Sequence, residues 1–225
     1  MVKQSLTMVI QDLLRSDPSM LDALERGYAN ISAVARLLKP KIEEKIGRGA
    51  NLSGIITAIR RAKAKYKPFT EHIKVIADST ITIRTNLAKI SIEKTRRNLE
   101  KARLLSTEFP ETFFQVLEGA ETLTLIMDQR VLNKIRPKFR DDEIIDEKND
   151  LSAIIIQSPK EIIDTPNCIS EFYNAIAKRG INIEETISCC TETMIVLRIG
   201  DSANAYNALT DLIEDCRRKL FQARK

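Results

Sequence analysis

The sequence predicts an α+β protein in which an N-terminal all-α helical domain is followed by two βαββαβ units. Three observations lead to that reading. Apolar residues recur at three- and four-residue steps as far as about residue 67; short alternating runs then interleave with helical ones from residue 79; and the order strand, helix, strand, strand, helix occurs twice. The expected boundaries are a basic helical domain over 1–68, a linker over 69–78, a first α+β domain over 79–150 and a second over 151–225.

With 225 residues, 43% of them hydrophobic, the chain can bury a core, and at about 100 to 200 residues per domain it holds one to three units. Charged residues reach 30%, and no apolar run approaches the roughly 20 residues a spanning helix needs, so no membrane partner is expected. The opening MVKQSLTMVIQDLLRSD carries acids and amides within its apolar stretch and lacks a small-residue cleavage site, which predicts a cytoplasmic protein. Four cysteines, Cys168, Cys189, Cys190 and Cys216, show no CxxC spacing and read as reduced thiols.

The single histidine, His72, is followed by none of the residues that a zinc or triad motif needs, and reads as a linker or surface residue. There is no GxxxxGK[ST] phosphate loop and no GxGxxG fingerprint. The expectation is a non-enzyme with no catalytic residue, metal or cofactor. The acidic run Asp141 to Asp150, interrupted by Lys148, reads as a solvated linker rather than a metal site.

Within the first third, residues 4–15 and 18–26 give two helical patterns, the latter with Pro18 in its first turn. Ile31, Val34, Ala35, Leu38, Ile42 and Ile46 form a stripe with Asn30 or Ser32 as cap, and Pro40 is expected to end one helix and begin a short second one. After GRGA, Asn51 or Ser53 can cap a helix whose apolar stripe is Leu52, Ile55, Ile56, Ile59 and Ala62. Residues 1–67 hold thirteen Lys or Arg against six Asp or Glu, a net of +7, and the remainder nets −2.

From residue 79, TITIRTN and LAKISIEK read as short strands, RRNLEKARLLSTEF as a helix, FFQVLEGAETLTLIMD as two strands about Gly119, and RVLNKIRPKFR as a helix. Ile144 and Ile145 suggest a short edge strand within the acidic run. LSAIIIQSP is an apolar strand, ISEFYNAIAKRG a helix stopped by Gly180, INIEETISCC and TETMIVLRI strands, and DSANAYNALTDLIEDCRRKL a helix capped by Asp201 or Ser202. The second copy lacks a final strand and the first has a spare one, Thr80 to Thr85. If the spare strand completes the second sheet, the two copies interlock.

The segment IIDTPNCISEFYNAIAKRGINIEETISCCTETMIVLRIGDSANAYNALTDLI resembles an ACT domain, especially those in the regulatory part of aspartate kinases. The polar loop is Asp164, Thr165, Pro166, Asn167, and the second strand opens with Gly180, Ile181, Asn182, Ile183, Glu184; Asn167 stands where the family pattern has glycine. The resemblance implies ferredoxin-like folding of both copies, an amino acid or similar small effector, and contacts from Thr165, Asn167, Cys168, Ile169, Asn182, Ile183 and Glu184. From the residues themselves, a helix beginning at Cys168 offers free amides to a carboxylate, and Glu184 could meet an ammonium. The competing reading is a dimerisation module with a solvated Glu184.

YANISAVARLLKPKIEEKIGRGANLSGIITAIRRAKAKYK resembles a helical module that precedes ACT domains in proteins described as regulators of amino-acid metabolism. Opposite the apolar stripe of the helix after Asn51 lie Ser53, Gly54, Thr57, Arg60, Arg61 and Lys65: small residues, then basic ones. That composition suits a helix-turn-helix recognition helix, with Ser53, Thr57, Arg60, Arg61 and Lys65 contacting double-stranded DNA. It suits equally a solubilised helix C-terminus. Two functions follow: an allosteric, homodimeric or higher-order regulator of amino-acid metabolism that senses an amino acid and acts on DNA, or a non-catalytic regulatory or scaffolding subunit that docks onto a metabolic enzyme.

Overall fold

A computed structural model describes residues 5–25, 27–65 and 70–223, which divide into two compact units, Met1–Phe69 and Thr70–Lys225. Among the described residues the first unit contains four helices: α1 (Leu6–Arg15), α2 (Pro18–Glu25), α3 (Ile31–Ile46) and α4 (Leu52–Lys65). Their apolar stripes meet in one core that includes Ile10 and Leu14 of α1, Leu24 of α2, Leu38 and Ile42 of α3, and Ile55 and Ile59 of α4. Asn30 caps α3 through Ser32 N and Ala33 N, and Gly47 ends it in the left-handed region at φ 66°.

Pro40 does not divide α3, contrary to the expectation of a break. Pro40 and Arg36, the residue whose carbonyl loses its helical N–H donor, are both exposed, so water can take the missing donor's place. Among the described residues no helix is long and apolar enough to cross a membrane.

The second unit is α+β. It opens with α5 (Glu71–Ala77), followed by β1 (Thr80–Glu93), α6 (Arg96–Glu108), β2 (Phe114–Glu118), β3 (Thr122–Asp128), α7 (Leu132–Ile135), β4 (Ile144–Gln157), α8 (Cys168–Ala177), β5 (Glu185–Cys189), β6 (Glu192–Arg198) and α9 (Ser202–Ala223). The 69–78 stretch, expected as a linker, thus carries a helix whose Val75, Ile76 and Ala77 are buried against α8 and α9. Pro137 limits α7 to one turn flanked by 3-10 turns.

Among the described residues there is one sheet instead of two, of six antiparallel strands in the order β2-β3-β1-β4-β6-β5. The two short strands read near residues 80 and 88 are halves of the fourteen-residue β1, and the acidic run expected as an edge strand opens β4 at the sheet's centre. Thr80–Arg84 pairs with Ala153–Gln157, while Lys89–Ile92 pairs with Ile144–Lys148. Each half of the unit therefore contains a strand segment from the other.

Register shifts interrupt the β1–β4 ladder around Leu87, and Asn86 and Asp150 adopt positive φ of 57° and 53°. The sheet folds there. The long side chains of Lys89 on β1 and Glu185 on β5, three strand spacings of about 4.8 Å apart in the sheet order, meet on one side of it, with Lys89 Nζ 3.0 Å from Glu185 Oε1. The faces turned towards each other enclose Leu87, Ile126, Leu151, Ala153, Met194 and Val196.

The opposite faces carry the helices. Ile154, Ile156, Ile195 and Leu197 pack on α5, α8 and α9, and Ile90, Ile92, Leu123 and Leu125 pack on α6 and α7. Burial on both faces is why residues 153–156 of β4, AIII, are apolar without interruption. Phe172 of α8 is fully buried in this core. Phe172→Ala is expected to destabilise the unit by about 3–5 kcal/mol in urea unfolding, through lost burial and the cavity left behind.

Candidate effector site

The loop from Ser158 to Asn167 joins β4 to α8 and contains a 3-10 turn over Lys160–Ile163. Thr165 Oγ1 donates to Glu161 O at 2.6 Å, folding the loop back on that turn. Asn167 holds φ 71° as the N-cap residue, the conformation glycine would take, and Asn tolerates it better than most side chains. Its side chain is exposed and makes no cap hydrogen bond, so it does not occupy the amides that open α8.

Cys168 and Ile169 follow at the start of α8, with the Cys168 side chain turned into the core, where burial pushes its thiol pKa up. Ile183 packs against the same core and Asn182 is exposed. A cavity of about 370 Å³ opens where this loop leaves β4, lined by Lys74, Val75, Asp78, Thr80, Gln157, Ser158, Pro159 and Glu161. Ser158 is fixed there by a 2.9 Å hydrogen bond to Ser79 Oγ, whose own proton goes to Val75 O. Lys74 supplies a cation, and Asp78 and Glu161 supply carboxylates. The grouping is not legible in the sequence, because Lys74 and Asp78 lie at α5, far along the chain from the loop that carries Glu161.

Glu184 lies apart from that cavity lining. Its side chain is 3% exposed and is surrounded by Lys148, by Lys89 Nζ at 3.7 Å and by Arg198 Nε at 3.5 Å. The Lys148 hydrogen bond, opposed by burial and reinforced by the neighbouring cations, holds the carboxyl below its ordinary range. The carboxylate is thus neither solvated nor free to meet an ammonium without displacing a cation. Lys89 is also buried and bonds Glu185 and Asp146; desolvation pulls its pKa down, but those carboxylates outweigh it and leave it raised. Only the folded sheet brings these charges together.

A second cavity, of about 680 Å³, lies at the sheet's bend and is lined by residues 148–151 and 198–201. Among the described residues no group of three or more His, Cys, Asp or Glu could hold a metal ion.

On α4, Ser53, Thr57, Arg60 and Arg61 are exposed along the helix, with Thr57 Oγ1 donating to Ser53 O at 2.9 Å. Lys65 closes the same helix. Gly54, expected on that outer face, instead faces α1: a Cβ there would lie 3.6 Å from Leu6 Cδ2. Its place is helix packing, since α1 was not part of the face deduced from α4 alone.

No protein-family model matches the sequence, and no curated protein matches it. Solved structures do. The regulatory subunit of aspartate kinase from Thermus thermophilus aligns with a TM-score of 0.51 and 14% identity, covering 60% of this chain and 98% of that one. Its fold is ACT-like. The corresponding subunit from Thermus flavus gives 0.50 at 13% identity, over 59% of this chain and 95% of that one. Aspartate kinase from Clostridium acetobutylicum gives 0.51 at 15% identity over 60% of this chain; there the match spans only 34% of the enzyme. At these identities the ACT-like unit shares an architecture with those proteins.

The charge cluster sets the unit's pH response. Because Glu184 titrates below the usual value near 4.5, its stabilisation is present above that pH and lost as pH falls through the lower, folded-state value. Lys89, raised above 10.5, contributes below that value and loses its contribution as pH rises through the folded one. Glu184→Gln should lower stability near neutrality by about 1–3 kcal/mol, by removing the carboxylate that Lys148, Lys89 and Arg198 share, and flatten the acid limb. Urea unfolding from pH 3 to 7 measures both.

Proposed function

We propose that the chain is a non-catalytic regulator of amino-acid metabolism that senses an amino acid through its ACT-like unit. The observation that carries this reading is the loop cavity: a space of about 370 Å³ with Lys74 on one side of the charge balance and Asp78 and Glu161 on the other, at the β4–α8 loop. A free amino acid brings a carboxylate and an ammonium a few ångströms apart and needs both signs matched. Thr165, Asn167 and the amides of Cys168 and Ile169 supply further polar contacts at the same loop, with Asn182 and Ile183 at the approach to β5. Glu184, already held by three cations, stabilises the unit rather than the ammonium, a role that Asp78 and Glu161 take.

The effector biases the unit between two arrangements to the extent that it binds one more tightly. The chain acts as a homodimer or larger assembly, a reading supported by the outer strands β2 and β5, each with one edge unpaired in the sheet. Melting temperature measured against a panel of the twenty amino acids tests the sensor. One member at a hundredfold excess over its Kd should stabilise the chain by about 2.7 kcal/mol, and Lys74→Met should weaken it roughly tenfold. No shift across the panel would sink the reading.

A second reading concerns the helical unit and rests on the exposed Ser53, Thr57, Arg60 and Arg61 of α4. These residues, with Lys65, suit contact with duplex DNA, Arg60 and Arg61 neutralising phosphates. Binding to a short duplex should fall steeply between 50 and 200 mM salt, and the Arg60→Ala, Arg61→Ala double variant should flatten the slope by about two units. Salt-insensitive binding, or none at 50 mM, would favour instead a subunit that docks onto a metabolic enzyme.

A further inference from the structure

The larger cavity lies away from the loop, at the bend. Its lining comes from two stretches: Lys148, Asn149, Asp150 and Leu151 where β4 kinks, and Arg198, Ile199, Gly200 and Asp201 where β6 runs into α9. From Leu151 to Gln157, the β4 residue at the loop cavity, is six strand steps, about 20 Å. The volume of about 680 Å³ falls within the roughly 300–1,000 Å³ typical of small-molecule sites.

Each stretch brings one cation and one carboxylate: Lys148 with Asp150, and Arg198 with Asp201. The formal charges of the lining cancel. A plain anion would be drawn to Lys148 and Arg198 but would also meet two carboxylates, and a plain cation would meet the reverse; a molecule bearing both signs satisfies both pairs. Asp150 is positioned by Gln129, which donates to its Oδ1 at 3.2 Å and accepts from its backbone N at 2.9 Å. Exposed Ile199 adds apolar surface for a hydrocarbon portion.

Lys148 and Arg198 have a second engagement, and it is shared. Both contact the buried carboxylate of Glu184, whose Oε1 has no hydrogen-bond partner and lies 3.5 Å from Arg198 Nε. Glu184 in turn faces Lys89, which belongs to β1 and is bound to Glu185 of β5 across the fold of the sheet.

We propose that the bend cavity is a second binding site, for a small zwitterion carrying a carboxylate and an amine, and that it reports occupancy to the Glu184–Lys89 cluster. The ligand carboxylate takes Arg198 and Lys148, drawing on the donors that hold Glu184, while Asp201 and Asp150 receive the amine. Because the same cations serve both, ligand binding and the hold between the two halves of the sheet are linked, each changing the other's equilibrium by the same factor.

The test is calorimetric titration and thermal melting of the full chain with each of the twenty amino acids and 4-aminobutyrate, with succinate and inorganic phosphate as pure anions and 1,5-diaminopentane as a pure cation. The expected result is a zwitterion whose Kd rises at least tenfold in Arg198→Met and in Asp201→Asn, yet changes less than twofold in Lys74→Met at the loop. Asp201→Asn leaves the Glu184 contacts in place, so it decides the matter if Arg198→Met does not fold, as judged by circular dichroism. Binding lost only in Lys74→Met would overturn the second site while leaving the loop sensor standing. Succinate or phosphate binding as tightly as any zwitterion, with Asp201→Asn tightening it, would overturn the ligand class. No response to any probe would overturn the site altogether.

Discussion

The antiparallel pairing of β1 with β4 is the constraint from which the ACT-like unit follows. Two strands of fourteen residues are each twice the length that either half of the fold needs, so each passes out of one four-stranded neighbourhood into the next. Neither half can complete its sheet alone. The interruption around Leu87, with positive φ at Asn86 and Asp150, lets the long ladder bend rather than continue flat. Burial of Leu87, Leu151 and Val196 inside the bend supplies the hydrophobic reason for it to stay bent.

The same bend explains an otherwise costly arrangement of charge. A lysine and a glutamate withdrawn from water are tolerated when several opposite charges and hydrogen bonds surround them, and Lys89 and Glu184 have Glu185, Asp146, Lys148 and Arg198 for that purpose. Removing either one leaves the cluster with one charge unmatched, although Lys89 keeps Glu185 and Asp146 and Glu184 keeps Lys148 and Arg198. The arrangement favours one register of the long strands, because a one-residue slip would turn Lys89 and Lys148 onto the helix-covered face. It also places charged side chains at the rim of the larger cavity, so the contacts that hold the sheet bent are adjacent to the groups able to recognise a ligand.

Local signals carried the elements whose partners are close in sequence. Asn30 before the stripe of α3 and Gly180 after α8 mark helix ends through backbone chemistry confined to a few residues. The loop at Asp164–Asn167 was recognisable because its polar residues interrupt an apolar strand and helix, and Asn167 does adopt the left-handed backbone that its position requires. Pro40 misled because its effect depends on whether the bond it removes faces water. Gly54 misled because a small residue on a helix looks the same whether it faces a groove or another helix. Ile144 and Ile145, set among acids, resemble an exposed edge, although β4 is central.

Taken alone, the sequence determined the period of each segment, the α+β class and the loop before α8, since each depends on which face a side chain takes relative to near neighbours. It could not determine that two pairs of short runs were two long strands, nor that Lys74 and Asp78 would line a cavity with Glu161. The cluster of Lys89, Lys148, Glu184 and Arg198 was also beyond it, because those residues span more than a hundred positions and meet only through the folded sheet. Proximity of that kind is a property of strand register and bending, and neither is written in any local run of residues.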